Sequence, residues 1–341
     1  MSAVRLAEEL RQAPAVLRRQ APGLAVALAA LVARLEHRPP RVVVTCARGS
    51  SAHAATFAKH QIERYVGIPV AEAAPSIVSI YRRRLQLQDQ LFLAVSQSGK
   101  SDDLVETAAM ARAAGAVTAA LVNATDSPLA AACEFVLPIE AGAEVSVAAT
   151  KTFVAMLAAL LRLTAAWAGD KALAAALERL PDRLAIAAGL DWSGAFASLR
   201  SALSLITIGR GPTLAIAREA ALKLKEICNL HAEAFSGAEF LHGPVALVSM
   251  RYPLLLFMPT DEAAEGMRRL AAGLRRKGAA LFAAEPGEPR PGRLPTLPPE
   301  HPETDAVCLI QSFYAMAARL AEALGTDADR PRHLHKVTRT R

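Results

Sequence analysis

The sequence predicts an α/β chain of two doubly wound domains, each a parallel sheet flanked by helices, with a helical segment before them and a docking tail after them. Three observations carry this. Short apolar, β-branched runs alternate with longer helical patterns. The alternation is written twice, since Arg48-Gly49 and Arg210-Gly211 occupy equivalent places 162 residues apart. The 341 residues are 52% hydrophobic but only 5% aromatic, with much Ala and Leu, which suits helices on parallel strands better than a β-sandwich.

Residues 1–40 read as the helical N-terminal segment. In the first domain, 41–165, "RVVVTC" from Arg41 is a strand that breaks at "ARGSS" and resumes as a helix through His60, and "QLFLAVS" leads into the helical "QSGKSDDLVETAAMARAAG". Residues 166–196 form a helical connector. The second domain, 197–325, repeats the scheme: "SLITI" from Ser204 breaks at "GRGPT" before "LAIAREAALKLKEI", and "YPLLLFMPT" leads into "DEAAEGMRRLAAGLRRKG". Crossovers between such strands must be right-handed. The Pro-rich stretch from Pro286 to Pro302 is a loop within this domain, because an amphipathic helix follows it. Residues 326–341 form the tail.

The net charge is +7, but Arg and Lys are mixed with Asp and Glu and few aromatics lie between them. Nucleic acid is therefore not an expected partner, while a modest positive field favours an anionic substrate. Cys46, Cys133, Cys228 and Cys308 form no C-x-x-C pair and sit in apolar settings, as reduced core residues of a cytoplasmic protein do. The apolar stretches Leu24–Ala33 and Phe153–Gly169 fall short of the ~18–20 uncharged residues of a spanning helix. Arg162 interrupts the second, and Glu8 and Glu9 stand where a secretory signal needs a basic segment. Both are expected to be core helices of a soluble protein with no membrane partner.

In "AVSQSGKSDD" the hydroxyls of Ser96, Ser98 and Ser101, the Gln97 amide and free backbone N–H groups converge where a strand ends and a helix begins. That is an anion site, at the strand end where doubly wound sheets bind ligands. Two other readings stand beside it. From Ala94 to Ser101 the letters satisfy the permissive nucleotide pattern A/G-x-x-x-x-G-K-S/T, which needs an acidic metal ligand after another apolar strand. Asp261 is the candidate, though it also fits as the N-cap of the following helix. The third reading is a Ser-rich capping turn without a ligand.

The segment "EAALKLKEICNLHAEAFSGAEFLHGP" carries Lys223, Glu226, His231, Glu233, Glu239 and His242. Lys223 and Glu226, at i and i+3, share one helix face; by itself that spacing is more often a surface ion pair than a catalytic one. In a sugar-phosphate site such a carboxylate can move a proton between adjacent carbons, provided burial raises its pKa toward neutrality. His231-Ala232-Glu233 has the H-x-E form of zinc deaminases, but the P-C-x-x-C partner is missing and no metal is expected. His242, before Gly243-Pro244, is either a positioned loop histidine or an exposed surface one. In the basic tail "DRPRHLHKVTRTR", Asp327, Asp329, Pro331, Leu334 and Val337 suggest docking that could deliver Lys336 to a site. An amine there can condense with a ketose carbonyl or stabilise its anion.

In order and at matching spacing, "SQSG", "EVSVAATKTF", "ALKLKEI", "HAEAF", "HGP" and "RHLHKVT" resemble the isomerase region of glucosamine-6-phosphate synthases, a family with two sugar-isomerase (SIS) domains per subunit. The resemblance runs from about residue 25 to the end. It implies that Ser96, Gln97, Ser98 and Ser101 hold a phosphate, with Ser50 and Ser51 of "RGSS" contacting phosphate or sugar. Val147 would line the sugar through its backbone. Glu226 would be the base between C1 and C2, with Lys223 assisting, and Lys336 would engage the open-chain keto sugar. His242 would promote ring opening from the neighbouring subunit, which implies a homodimer with a shared site; no cofactor is implied.

Synthases begin with a glutaminase domain, whereas this sequence opens "MSAVRLAEEL". Lys100 stands where synthases carry Glu, Leu241 where they carry Lys and Ala149 where they carry Ser. These departures make the sequence similar also to stand-alone SIS-type glucosamine-6-phosphate deaminases. The expected reaction on that resemblance converts glucosamine 6-phosphate and water to fructose 6-phosphate and ammonia. It runs by ring opening, proton transfer from C2 to C1 to give a C2 imine, attack by water and loss of ammonia. Three alternatives remain: an isomerase or deaminase of another amino-sugar phosphate, the isomerase-type subunit of a synthase, and a non-enzymatic sugar-phosphate sensor.

Overall fold

The computed structural model describes residues 4–336. After α1 (Val4–Arg11) and α2 (Ala13–His37), strands and helices alternate as β1 (Val43–Ala47), α3 (Gly49–Tyr65), β2 (Val70–Glu72), α4 (Ser76–Ser79), β3 (Leu91–Ser96), α5 (Asp102–Ala113), β4 (Val117–Val122), α6 (Pro128–Ala132), β5 (Phe135–Pro138) and α7 (Lys151–Ala168). Then follow α8 (Lys171–Ala187), α9 (Phe196–Arg200), β6 (Ser204–Gly209), α10 (Thr213–Cys228), β7 (His231–Ser236), β8 (Pro253–Phe257), α11 (Ala264–Arg276), β9 (Ala280–Ala284), β10 (Arg293–Leu294) and α12 (Pro302–Leu324). These form two compact units. The first holds residues 15–144, 151–177 and 335–336; the second holds 4–14, 145–150 and 178–334.

The first unit is built on a wholly parallel sheet of order β2-β1-β3-β4-β5. β1, β3 and β4 are buried at every residue, because helices cover both faces of a parallel sheet, and their sequences are accordingly continuous apolar runs. Phe92, Leu104, Ala108 and Leu129 are among its fully buried core. α7 packs on α3, and Gln20 of α2 donates to the carbonyls of Ile139 (2.7 Å) and Ala155 (2.8 Å).

The second sheet has the order β7-β6-β8-β9-β10, strand for strand the order of the first, so the sequence repeat is a repeat of topology. Its core places Met267, Leu270 and Leu274 of α11 against Ile206, Leu254 and Phe240. On the side of α12, Phe257 meets Phe313 nearly edge-on at 5.9 Å and Trp192 at 6.2 Å. In both sheets the order reverses direction between the first and third strands of the unit. The loops leaving those strands are where such folds bind ligands.

The helices around the apolar stretches are longer than the stretches themselves. By length and composition α2, α7 and α12 are each apolar enough to cross a membrane. In α7 and α12 the burial of 78% and 72% of the most apolar window accounts for that apolarity as core packing, whereas in α2 only 39% is buried. All four cysteines are buried and unpaired. Burial pushes the thiols of Cys46, Cys228 and Cys308 up to about 12 and that of Cys133 to about 11.

Candidate active site

In the first unit, the loop from Ser96 to Ser101 lies between the end of β3 and the start of α5. Its shape is set locally: Ser96 Oγ accepts the Gly99 N–H (3.1 Å) and Ser98 Oγ accepts that of Lys100 (3.4 Å). Ser101 is the N-cap residue of α5, with extended backbone, yet its hydroxyl makes no capping bond. Of the three serines, Ser96 and Ser98 thus make the local bonds of a capping turn, while the Ser101 hydroxyl is not spent on the helix end. Gly99 is required, for its φ is +63° and a Cβ would lie 2.1 Å from Ser127 Oγ. Gly99→Ala should therefore lower the unfolding free energy by about 1–2 kcal/mol from the left-handed backbone alone. Adding Ser127→Gly should recover only the part due to the clash, as read by urea denaturation.

The loop after β1 completes this end of the sheet. Gly49 takes φ +53° as α3 begins, half-buried Ser50 and buried Ser51 occupy its first turn, and the Ser51 hydroxyl reaches Met156 Sδ at 3.7 Å. The N-termini of α3 and α5 both lie at this switch point, and each brings unsatisfied N–H groups and partial positive charge. Arg48 ties the two loops together by donating from Nε (3.1 Å) and Nη2 (2.6 Å) to the buried Asp103 carboxylate. The counterpart loop of the second sheet, from Met258 to Ala263, keeps only Thr260 of the hydroxyls, and Thr260 donates to Asp305 (2.7 Å). Asp261 is not the N-cap of α11 but lies one turn ahead, where its carboxylate accepts the Ala263 N–H at 3.0 Å.

Also in the first unit, Lys336 places its ammonium 3.5 Å from Glu144, whose side chain is fully buried and also accepts the Thr152 N–H at the start of α7 (3.3 Å). Lys151 Nζ donates to the Ala143 carbonyl at 2.6 Å. The tail is thus docked, but Leu334 does not anchor it. Leu334 is 39% exposed and Val337 lies outside the described residues.

The second unit holds the half-buried Val147, whose N–H donates to the Asp329 carbonyl at 3.4 Å. Two preceding N–H groups, of Val145 and Ser146, donate to the buried carboxylate of Glu9 in α1. The Asp329 carboxylate in turn accepts the N–H groups of Arg5 (3.3 Å) and Leu6 (2.9 Å) at the start of α1. Ala328 and Pro331 are buried beside it, and these, rather than Leu334, anchor the tail.

On α10 the spacing i, i+4, i+7 puts Glu219, Lys223 and Glu226 in one stripe. Lys223 is 1% exposed; its ammonium donates to Glu226 and lies 3.4 Å from Glu219, which also accepts the Tyr314 hydroxyl (3.1 Å). A surface ion pair is excluded. Burial would lower the Lys223 ammonium, but Glu219 and Glu226 outweigh it and hold its pKa above the ordinary lysine value. The burial anticipated for Glu226 belongs instead to Lys223 and Glu219, since the Glu226 side chain is 21% exposed. Glu226 lines a cavity of about 330 Å³ together with Asn229, Thr326, Asp327, Arg330 and Arg332.

His242 ends the one-turn helix Glu239–His242 and is exposed; no hydrogen bond or ion pair joins it to Lys223 or Glu226 among the described residues. His231 and Glu233 are exposed on β7, and among the described residues no group of three or more His, Cys, Asp or Glu is placed to hold a metal ion. The first unit therefore brings together the Ser96–Ser101 loop, Ser50 and Ser51, and contains docked Lys336. The second contains Val147, Lys223, Glu226 and His242.

The SIS domain matches residues 38–166 and 198–283. The isomerising glutamine–fructose-6-phosphate aminotransferase of Symbiobacterium thermophilum is 34% identical over 320 residues, 88% of this chain and 52% of that protein. That of Zymomonas mobilis is 31% identical over 315 residues, 86% and 51%. The chain thus spans about half the length of the curated relatives it matches. Among solved structures, a candidate phosphosugar isomerase from Silicibacter pomeroyi superposes with TM-score 0.91 at 43% identity, covering 95% of this chain and 99% of the other. The C-terminal domain of glucosamine-fructose-6-phosphate aminotransferase from Francisella tularensis gives 0.83 at 24%, covering 96% and 98%, a likeness of fold.

Proposed function

The chain belongs to the SIS domain family, and from that premise we propose that it is an aldose–ketose isomerase acting on an amino-sugar phosphate, converting glucosamine 6-phosphate and water to fructose 6-phosphate and ammonia. The observation that carries this reading is the Glu219–Lys223–Glu226 stripe. It presents one carboxylate to a cavity and backs it with a buried cation. Glu226 takes the C2 proton of the open-chain aldose and returns it to C1, while Lys223 orients the carboxylate. The resulting C2 imine adds water and expels ammonia. Ser96, Gln97, Ser98 and Ser101, with Ser50 and Ser51, hold the phosphate at two helix N-termini. Val147 lines the sugar, and Lys336, whose ammonium lies 3.5 Å from the buried Glu144, engages the ketose carbonyl. The exposed His242 is available to open the ring in a partner subunit's site within a homodimer.

A second reading is favoured by the relatives, which are named as aminotransferases. In it the same site runs in the other direction, as the isomerase part of an amidotransferase, and takes ammonia onto fructose 6-phosphate. One assay separates the two. Ammonia and fructose 6-phosphate are measured from glucosamine 6-phosphate, and glucosamine 6-phosphate from fructose 6-phosphate with ammonium, each with and without chelator. Chelator-insensitive release in the first direction is the expected result. Formation of glucosamine 6-phosphate without measurable release would favour the second reading, and no turnover either way would overturn both.

A further inference from the structure

We propose that Arg275, Arg290 and Arg293 form a second anion site, for the phosphoryl group of a small solute, around Glu285 in the second unit. Glu285 follows β9, at the carboxyl end of a strand, and its side chain is buried. Its Oε1 accepts from Arg290 Nη2 and lies 3.4 Å from Arg293 Nε. The residue at the equivalent place in the first unit, after β4, is Asn123. It clamps the next loop without any charge, accepting the Ala141 N–H (2.8 Å) and donating to the Gly142 carbonyl (2.9 Å). Two arginines on one carboxylate already do that work in the second unit.

Arg275 is a third cation that the clamp does not need. It stands on α11 where the repeat has Ala113 on α5. Its Nη2 is buried and has no hydrogen-bond partner. Burial, then Arg290 and Arg293, depress its pKa, with Glu285 opposing them. Arg290 and Arg293 converge on one carboxylate, Arg275 lies within electrostatic reach of all three, and its buried donor without an acceptor marks the place of a missing partner. The planar forks of arginine match the oxygens of a phosphoryl group, and Arg290, 48% exposed, leaves the cluster open to solute.

The test is made in the full chain carrying Ser98→Ala and Ser101→Ala, which disable the phosphate loop of the first unit. Thermal unfolding is followed while inorganic phosphate or glycerol 3-phosphate is titrated, the two probes telling a free ion from a phosphate ester. This double variant is expected to keep a phosphate-dependent rise in unfolding temperature. Adding Arg275→Met should weaken the half-saturating concentration at least about ten-fold, and Arg275→Lys, which keeps the charge, should restore part of it. Equal stabilisation with and without Arg275→Met overturns the proposal, as does the absence of any phosphate effect in the double variant. If instead Ser98→Ala with Ser101→Ala binds phosphate as tightly as the unaltered chain, it is the role of the first-unit loop that fails.

Discussion

Glu226→Gln is expected to lower turnover of glucosamine 6-phosphate by roughly two to four powers of ten while leaving the KM within a few-fold, the signature of losing a proton-transfer group. The amide has the shape of the carboxylate and can still accept from the Lys223 ammonium, so the stripe on α10 keeps its geometry. What it cannot do is take the C2 proton. Steady-state kinetics with each variant check this, and unchanged kcat would remove Glu226 from the mechanism. The same variant tests the shared site. If His242 serves the neighbouring subunit, mixing inactive Glu226→Gln and His242→Asn chains should restore roughly a quarter of the activity, because half of the dimers are mixed and each carries one intact site. No recovery on subunit exchange would keep His242 out of a partner's site.

The fold was legible because its signals are local and repeated. "RVVVTC" before "ARGSS" and "SLITI" before "GRGPT" each combine a β-branched run, a glycine that takes positive φ (Gly49 at +53°, Gly211 at +57°) and a helix. Two such units at one spacing led directly to two sheets of identical strand order. Much of the candidate site was legible for the same reason, since "SQSGKS" and "LKLKE" are continuous in sequence. Glu219 was within reach of the same reasoning, for it completes the i, i+4, i+7 stripe with Lys223 and Glu226. What escaped rests on contacts between distant segments. Glu9 accepts from Val145 and Ser146, and Asp329 caps α1 across more than three hundred residues. Neither pairing leaves a periodic trace, because one carboxylate on a helix face reads as solvated whether or not a loop later closes over it. Leu334 misled in the opposite sense: its apolarity suggested an anchor, while the tail is held by hydrogen bonds to Asp329 and by Ala328 and Pro331.

Lys223→Met should be the most destabilising single change proposed for this chain, at about 3–5 kcal/mol of unfolding free energy. Methionine fills the same volume, so little of this is cavity. The cost arises at Glu219, which is fully buried and would lose the Lys223 ammonium beside it. Glu226 suffers less, because its exposed part can rehydrate. Changing Glu219 to Gln in the same chain removes the stranded charge, and the double variant should be more stable than Lys223→Met alone, a coupling that a double-mutant cycle in urea measures directly. The pH dependence follows from the same pair. Lys223 titrates above the ordinary lysine value of 10.5 when folded, so its contribution is complete below that pH and is lost only as the pH rises through the folded value. The difference between the unaltered chain and Lys223→Met should therefore shrink at strongly alkaline pH, and shrink also toward acid pH as the stranded Glu219 takes up a proton. A cost below about 1 kcal/mol for Lys223→Met would instead mean that water reaches the stripe, and the buried cation would lose its place behind Glu226.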